Sequence, residues 1–273
     1  MSETVWLAPP FDRLWAECDA HAAVEALQGE VFRELEARRT LRTEVEGRGY
    51  FVKIHRGVGW GEIIKNLVSL RAPVLGAGNE YRALRRLAEL GVASMTPVAF
   101  AERGVDPARQ HSFIITEELA NTVSLEDHCR DWPQNPPLPA WKRALIRRVA
   151  EMAGRMHRGG VNHRDFYICH FLLHLDPPPR PEDFRLSLID LHRAQTRAET
   201  PRRWRDKDLA GLYFSALEIG LTRRDVLRFL RAYFERPLRV ILREEAALLA
   251  RLAREAQRLM ARYRRKYAPG ASA

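Results

Sequence analysis

Val161-Asn162-His163-Arg164-Asp165, with Ile189-Asp190 further along, decides how this chain is read. Gly159-Gly160 stops a helical stretch just upstream, so Asp165 falls on a loop beside Arg164. Asp190 closes a short apolar run over residues 186–189 that reads as a strand. One carboxylate on a loop and a second at a strand end can set a hydroxyl-activating group beside a metal-binding group. Chance supplies a His-Arg-Asp triplet often, so the order of parts around it carries the weight.

Upstream, residues 31–35, 40–45 and 50–55 read as strands, the last two joined by a turn at Gly47-Arg48-Gly49. Gly57-Val58-Gly59-Trp60-Gly61 is flexible punctuation. A helix is expected over 62–70, with Ile63, Leu67 and Leu70 on one side, and another over 79–90 with Leu84 and Leu87 apolar and Gly91 as its stop. Residues 96–101 and 113–116 add two strands. Pro133, Pro136, Pro137 and Pro139 mark a loop into a helical half, where Leu145, Val149, Met152 and Met156 form an apolar stripe. Strands at 171–175 and 186–189 follow. From Asp208 onward the chain reads helical, ending in a basic amphipathic helix with Leu248, Leu252, Leu259 and Tyr263 among its apolar positions. The expectation is an α+β fold in two lobes: an antiparallel β-rich lobe over 1–120 and a larger, mostly helical lobe over 121–273.

With 273 residues, 46% hydrophobic and 29% charged, the chain can bury a large core and has the composition of an ordinary globular protein. No apolar run reaches membrane-spanning length, and the N-terminus lacks a basic start followed by an apolar stretch. Three dispersed cysteines, Cys18, Cys129 and Cys169, argue against a disulfide framework and suit a reducing cytoplasm. A net charge of +10 favours an anionic partner. No helix-turn-helix, zinc-finger spacing or aromatic ribonucleoprotein motif is readable, which speaks against nucleic acid.

Phosphoryl transfer needs positioning and charge stabilisation, hence a cation for the phosphates, a carboxylate to orient it, a base and a metal ligand. Lys53, Glu80, Asp165 and Asp190 supply these in order. Strand alternation turns Lys53 away from Val52 and Ile54. Each residue also has a plainer reading: a solvated strand lysine, an acid favoured at a helix start, a turn aspartate, a strand-ending aspartate. The joint order argues for the chemistry.

With these residues in view the chain resembles the protein-kinase-like superfamily, and within it the lipopolysaccharide core heptose(I) kinases. The resemblance runs through Glu36-Ala37-Arg38-Arg39-Thr40, the stretches 50–57, 59–63 and 161–167, His170-Phe171-Leu172-Leu173-His174, and the stretches 189–195 and 202–209. It implies use of ATP and Mg²⁺, transfer to the 4-hydroxyl of the first inner-core heptose, and work at the inner face of the cytoplasmic membrane. It implies that Lys53 grips the α/β-phosphates, Glu80 pairs with it, Asp165 is the base and Asp190 the metal ligand. The stretch 113–119 resembles the strand and hinge that meet adenine, through Glu117 and Leu119. Asp208 resembles the buried carboxylate that braces a catalytic loop; its plainer reading is a helix N-cap.

Three departures stand out. Glu36-Ala37-Arg38-Arg39 occupies the place of a Gly-rich phosphate loop, leaving Arg38 or Arg39 either to clamp phosphates or to lie solvated. His170 stands where a metal-binding Asn is usual; imidazole suits Mg²⁺ poorly, so His170 is a second metal ligand or a group orienting Asp165. Asp190-Leu191-His192 replaces Asp-Phe-Gly. Rival readings are a zinc site from His163, Cys169, His170 and His174, an aminoglycoside phosphotransferase, a keto-deoxy-octulosonic acid kinase, and a nucleic-acid-binding module using Arg202, Arg203, Arg205, Arg223 and Arg224. The first fits no familiar ligand spacing, and the second pairs a cationic substrate with a basic protein. The helix at 62–70 is read as core packing, with contact to a membrane or to an acidic acyl-bearing partner such as acyl carrier protein as the alternatives.

Overall fold

The structure, a computed structural model, describes residues 3–35, 37–68 and 75–267. Its described residues divide into two compact units. The first holds Met1–Arg86, Ser94–Ala120 and Leu191–Arg193; the second holds Leu87–Ala93, Asn121–Asp190 and Ala194–Ala273.

The first unit contains β1 (Glu3–Leu7), α1 (Phe11–Leu14), α2 (Ala20–Ala26), β2 (Glu30–Leu35), β3 (Arg38–Val45), β4 (Arg48–His55), α3 (Gly59–Val68), most of α4 (Gly78–Glu89), β5 (Pro97–Arg103) and β6 (His111–Glu117). Six strands form one sheet in the order β1-β5-β6-β4-β3-β2, every pairing antiparallel. One face packs on Phe11, Trp15 and Val24, against which lie Leu41, Tyr50, Val52, Ile54, Phe113 and Ile115. Each such side chain, fully buried, contributes roughly 1.5–3 kcal/mol. α4 lies on the opposite face, where Tyr81 stacks on Phe100 with centroids 4.2 Å apart.

Two local expectations are corrected. The β3–β4 turn is Glu46-Gly47, with φ of 52° and 75°, and Arg48 already pairs with Val45. Two successive left-handed residues make the tight hairpin turn whose twist matches its strands, which places the turn one residue earlier than the glycine pair suggested. The helix expected from Glu62 begins at Gly59. Ile63 is buried, whereas Trp60, Ile64 and Val68 are exposed by 53%, 55% and 79%. Of the side expected to pack on the core, Ile63 does so; Trp60, Ile64 and Val68 form a separate, exposed stripe at four-residue spacing. Glu36, Leu70, Pro73 and the side chain of Leu67, all used in the sequence reading, lie outside the described residues.

The second unit contains β7 (Thr122–Ser124), α5 (Leu125–His128), α6 (Pro139–Arg158), β8 (Val161–Asn162), β9 (Phe171–His174), β10 (Leu186–Leu188), β11 (Gln195–Thr196), α7 (Arg202–Ser215), α8 (Arg223–Phe234), α9 (Leu238–Glu244) and α10 (Ala246–Tyr267). Its strands form small sheets, β10-β9-β7 and β11-β8. The fold is α+β, an antiparallel sheet with helices followed by a mostly helical part, as expected. Leu145, Val149, Met152 and Met156 are all buried on α6. Helix α7 starts six residues before Asp208, so Asp208 sits inside it and is no N-cap. Along α10, Leu248, Leu252, Ala256 and Met260 are buried at four-residue spacing, while Tyr263 is half exposed.

Gly160 fixes where α6 hands over to the loop. Its φ is 84°, its carbonyl accepts from the Arg197 N–H at 2.9 Å, and an added Cβ would fall 1.9 Å from the Arg197 carbonyl oxygen. Gly160→Ala is expected to destabilise the protein by at least about 1–3 kcal/mol through backbone strain, with the added clash on top. A denaturant midpoint equal to wild type would contradict this.

Candidate active site

In the first unit, β4 alternates Val52 and Ile54 into the core and turns Lys53 to the face covered by α4. There Lys53 Nζ donates to Glu80 Oε1 at 2.6 Å. The Glu80 side chain is 1% exposed and Lys53 15%, so the pair is held away from bulk water. Glu80 is thus committed to Lys53 and does more than complement the start of α4. Among the described residues, one of the three ammonium hydrogens of Lys53 is used, on Glu80.

Register settles which of the two arginines shares that face. Arg38 pairs with His55 and Thr40 with Lys53, so Arg38, Thr40, Lys53 and His55 share one side of the sheet. Arg39 faces the other way: its guanidinium donates to the Glu25 carbonyl at 3.2 Å and meets the Glu34 carboxylate at 3.1 Å. Burial, then the charges of Arg38 and Lys53, push His55 down to about 3, so it stays neutral beside them. Strands β2 and β3 connect through residues 36–37 alone, with Leu35 paired to Arg38, which leaves no length for a Gly-rich loop there. At the end of β6, the Glu117 N–H donates to Thr96 O at 2.9 Å and Leu119 is half buried. The neighbouring Glu118 is clamped by Arg42 through two bonds of 2.8 Å.

In the second unit, Asp208 of α7 is the organising group. Its Oδ2 accepts from the His163 N–H at 2.6 Å and its Oδ1 from the Arg164 N–H at 2.8 Å, with His157 Nε2 3.3 Å from Oδ2. That grip holds Arg164 at φ 74°, a left-handed conformation costly for a side chain of its size. Asp165 follows directly. His163 is fully buried, and burial pushes its pKa below the ordinary value. Its Nε2 lies 2.9 Å from the Ile189 carbonyl, the residue before Asp190. The Ile189 N–H in turn donates to His170 O at 2.9 Å.

His170 links the two carboxylate-bearing segments a second time. Its Nδ1 is 2.6 Å from the Asp165 backbone carbonyl, and its Nε2 is 3.5 Å from Asp190 Oδ2. A carbonyl accepts only, so Nδ1 carries the proton and holds the loop. His163, His170 and His174 direct ring nitrogens at Ile189, Asp165 and Ser187, three different partners, and among the described residues no group of three metal-binding side chains forms. The zinc reading has no geometry behind it.

The pairing of His157 and His163 with Asp208 was not read from the sequence. The available signal was His157 itself, a polar residue one turn after Ala153 on the buried side of α6.

A family model described as "Lipopolysaccharide kinase (Kdo/WaaP) family" matches residues 22–233. The chain belongs to the lipopolysaccharide kinase (Kdo/WaaP) family. Among members of that family, the lipopolysaccharide core heptose(I) kinase WaaP of Pseudomonas aeruginosa is 68% identical over 259 residues, covering 95% of this chain and 97% of the relative. The Escherichia coli protein of the same name is 55% identical over 262 residues, covering 96% and 99%. A solved structure described as WaaP in complex with acyl carrier protein is 64% identical, with a TM-score of 0.84 over 94% of this chain and 99% of that one. The α+β architecture described above is therefore that of a Kdo/WaaP-family kinase.

Proposed function

We propose that this chain phosphorylates the first heptose of the lipopolysaccharide inner core, using ATP as donor and Mg²⁺ as its metal. The observation that carries the reading is the assembly around Asp208, which ties the Asp165 loop and the Asp190 strand end together through His163 and His170. High identity to named heptose(I) kinases over nearly the whole chain supports the acceptor.

The donor sets fit the groups assigned. Lys53, anchored by buried Glu80, offers an ammonium to the α/β-phosphates, and Arg38 adds a second cation from the same face. Glu117 and Leu119 meet adenine through the backbone; with its N–H given to Thr96, Glu117 uses its carbonyl. Asp190 offers carboxylate oxygen, the ligand Mg²⁺ prefers, whereas His170 offers nitrogen and is spent on positioning Asp165. Mg²⁺, when bound, neutralises charge on the phosphates. Asp165 would accept the proton of the heptose 4-hydroxyl as that oxygen takes the γ-phosphoryl group from ATP, releasing ADP.

Lys53→Ala is expected to raise the KM for ATP at least tenfold with a smaller effect on the KM for the acceptor; equal nucleotide saturation curves would remove Lys53 from the site. The reading as a whole is tested by phosphate transfer to inner-core lipopolysaccharide lacking heptose phosphate, with mass spectrometry locating the added group. Phosphate on the keto-deoxy-octulosonic acid would favour the other activity that the family description names.

For a partner we propose acyl carrier protein, supported by the related complex and by an apolar cavity of about 320 Å³ inside the second unit. Leu145, Val149, Leu209, Leu212, Leu230 and Leu252 are among its walls, which suit an acyl chain better than a polar ligand. On this reading the acyl-bearing contact would use the helical unit rather than α3. The exposed Trp60, Ile64 and Val68 of α3 instead suit peripheral contact with the inner face of the cytoplasmic membrane. Among the described residues no helix is long and apolar enough to cross a membrane.

A further inference from the structure

Beside Asp165 lies a group of cations that the proposed transfer step does not use. Trp204, in the first turn of α7, has three of them over its ring: Arg203 at 4.9 Å, Lys207 at 5.5 Å and Arg164 at 5.7 Å from the centroid. Arg164 immediately precedes Asp165, and its N–H is held by Asp208, one residue after Lys207 on the same helix. Arg203 and Lys207 stand four residues apart, which puts them on one side of α7. Both are exposed.

Their neighbour Arg205 behaves differently. Its guanidinium is bound to Asp206 at 2.9 and 3.1 Å, so its charge is answered within the fold, and Arg251 shares the same carboxylate. Among the described residues no carboxylate pairs with Arg203 or Lys207. Arg203, at the first turn, also opposes the helix dipole, and α7 carries no acid in that turn to offset it. The like charges of Arg203 and Lys207 over one ring repel, and attraction to the indole face answers that repulsion only in part. An anion received among them removes the cost, and the sequence position of Arg164 ties that anion to the reacting hydroxyl.

We propose that Arg203 and Lys207, flanking Trp204, form a subsite for an anionic group of the acceptor, a carboxylate or a phosphate, that positions the sugar for Asp165. This rests on the kinase reading and adds a recognition element to it. The same chemistry could come from an acidic sugar adjoining the heptose or from a phosphate on the lipid end of the acceptor.

The test is the Arg203→Gln/Lys207→Gln double variant, assayed with three forms of inner-core lipopolysaccharide lacking heptose phosphate: untreated, methyl-esterified at its carboxylates, and stripped of its lipid phosphates. The expected result is a rise of at least tenfold in the KM for the untreated acceptor, with kcat and the KM for ATP within twofold of wild type. One treated acceptor should show the same loss with wild type and no further loss with the variant, which names the anion. An unchanged acceptor KM, a rise confined to the KM for ATP, or additive losses on both treated acceptors would overturn the subsite. If wild type transfers phosphate to none of them, the kinase reading fails instead. Equilibrium binding of untreated acceptor without nucleotide, tenfold weaker in the variant or not, then still decides the subsite.

Discussion

Asp165→Asn is expected to slow phosphate transfer to the heptose by about 10²–10⁴-fold while leaving the unfolding transition where it is. On the proposed reading the exchange removes the proton acceptor, while asparagine keeps the size of the side chain and one of its oxygens. The loop around Asp165 is held by backbone atoms: the Arg164 N–H on Asp208, and the Asp165 carbonyl facing His170 Nδ1. None of these contacts uses the carboxylate that the variant loses. Steady-state rates at saturating ATP and acceptor, beside thermal melts, make the measurement. Turnover within tenfold of wild type would mean that the hydroxyl proton goes elsewhere and that Asp165 is not the base.

Asp208→Ala is expected to act oppositely, through the fold. Its side chain is 1% exposed and serves two backbone N–H groups and the His157 ring. Truncation leaves those donors buried and unpaired, at a cost of roughly 1–3 kcal/mol each, so a total loss of about 3–5 kcal/mol is expected from chemical denaturation. Arg164 would also be released from its left-handed backbone, and transfer would be lost at temperatures where the protein stays folded. Asp208→Asn, which keeps one oxygen acceptor, should fall between alanine and wild type in stability. If Asp208→Ala unfolds at the wild-type midpoint, the loop is held by something other than this carboxylate.

How much of this could be read beforehand depended on the range of the signal. Lys53 was legible because a period of two is rigid: once Val52 and Ile54 are core, their neighbour must face away. Arg38 and Arg39 could not be told apart, because assigning their faces needed the β3–β4 register, and the turn that sets it was read one residue late. Helices α1 and α2 went unseen, being four and seven residues long, too short for an apolar period to repeat. The start of α7 was hidden by its own composition, since Arg202-Arg203-Trp204-Arg205 reads as a charge run before it reads as a helix. Asp208 was recognised by resemblance; its partners His157 and His163 are 51 and 45 residues away, and no local pattern reports a contact over such distances.

The near-complete burial of Glu80 beneath the Lys53 ammonium carries one more consequence. A lysine on an open strand gives up the rotational freedom of four methylenes when it grips an anion, and that loss weakens binding. Here the freedom is surrendered when the chain folds, because the carboxylate below already fixes the stem. On the proposed reading, preorganisation of this kind makes the nucleotide's affinity depend on Glu80 through Lys53. Glu80→Gln should therefore loosen ATP chiefly through a less favourable binding entropy, a change that titration calorimetry reads directly.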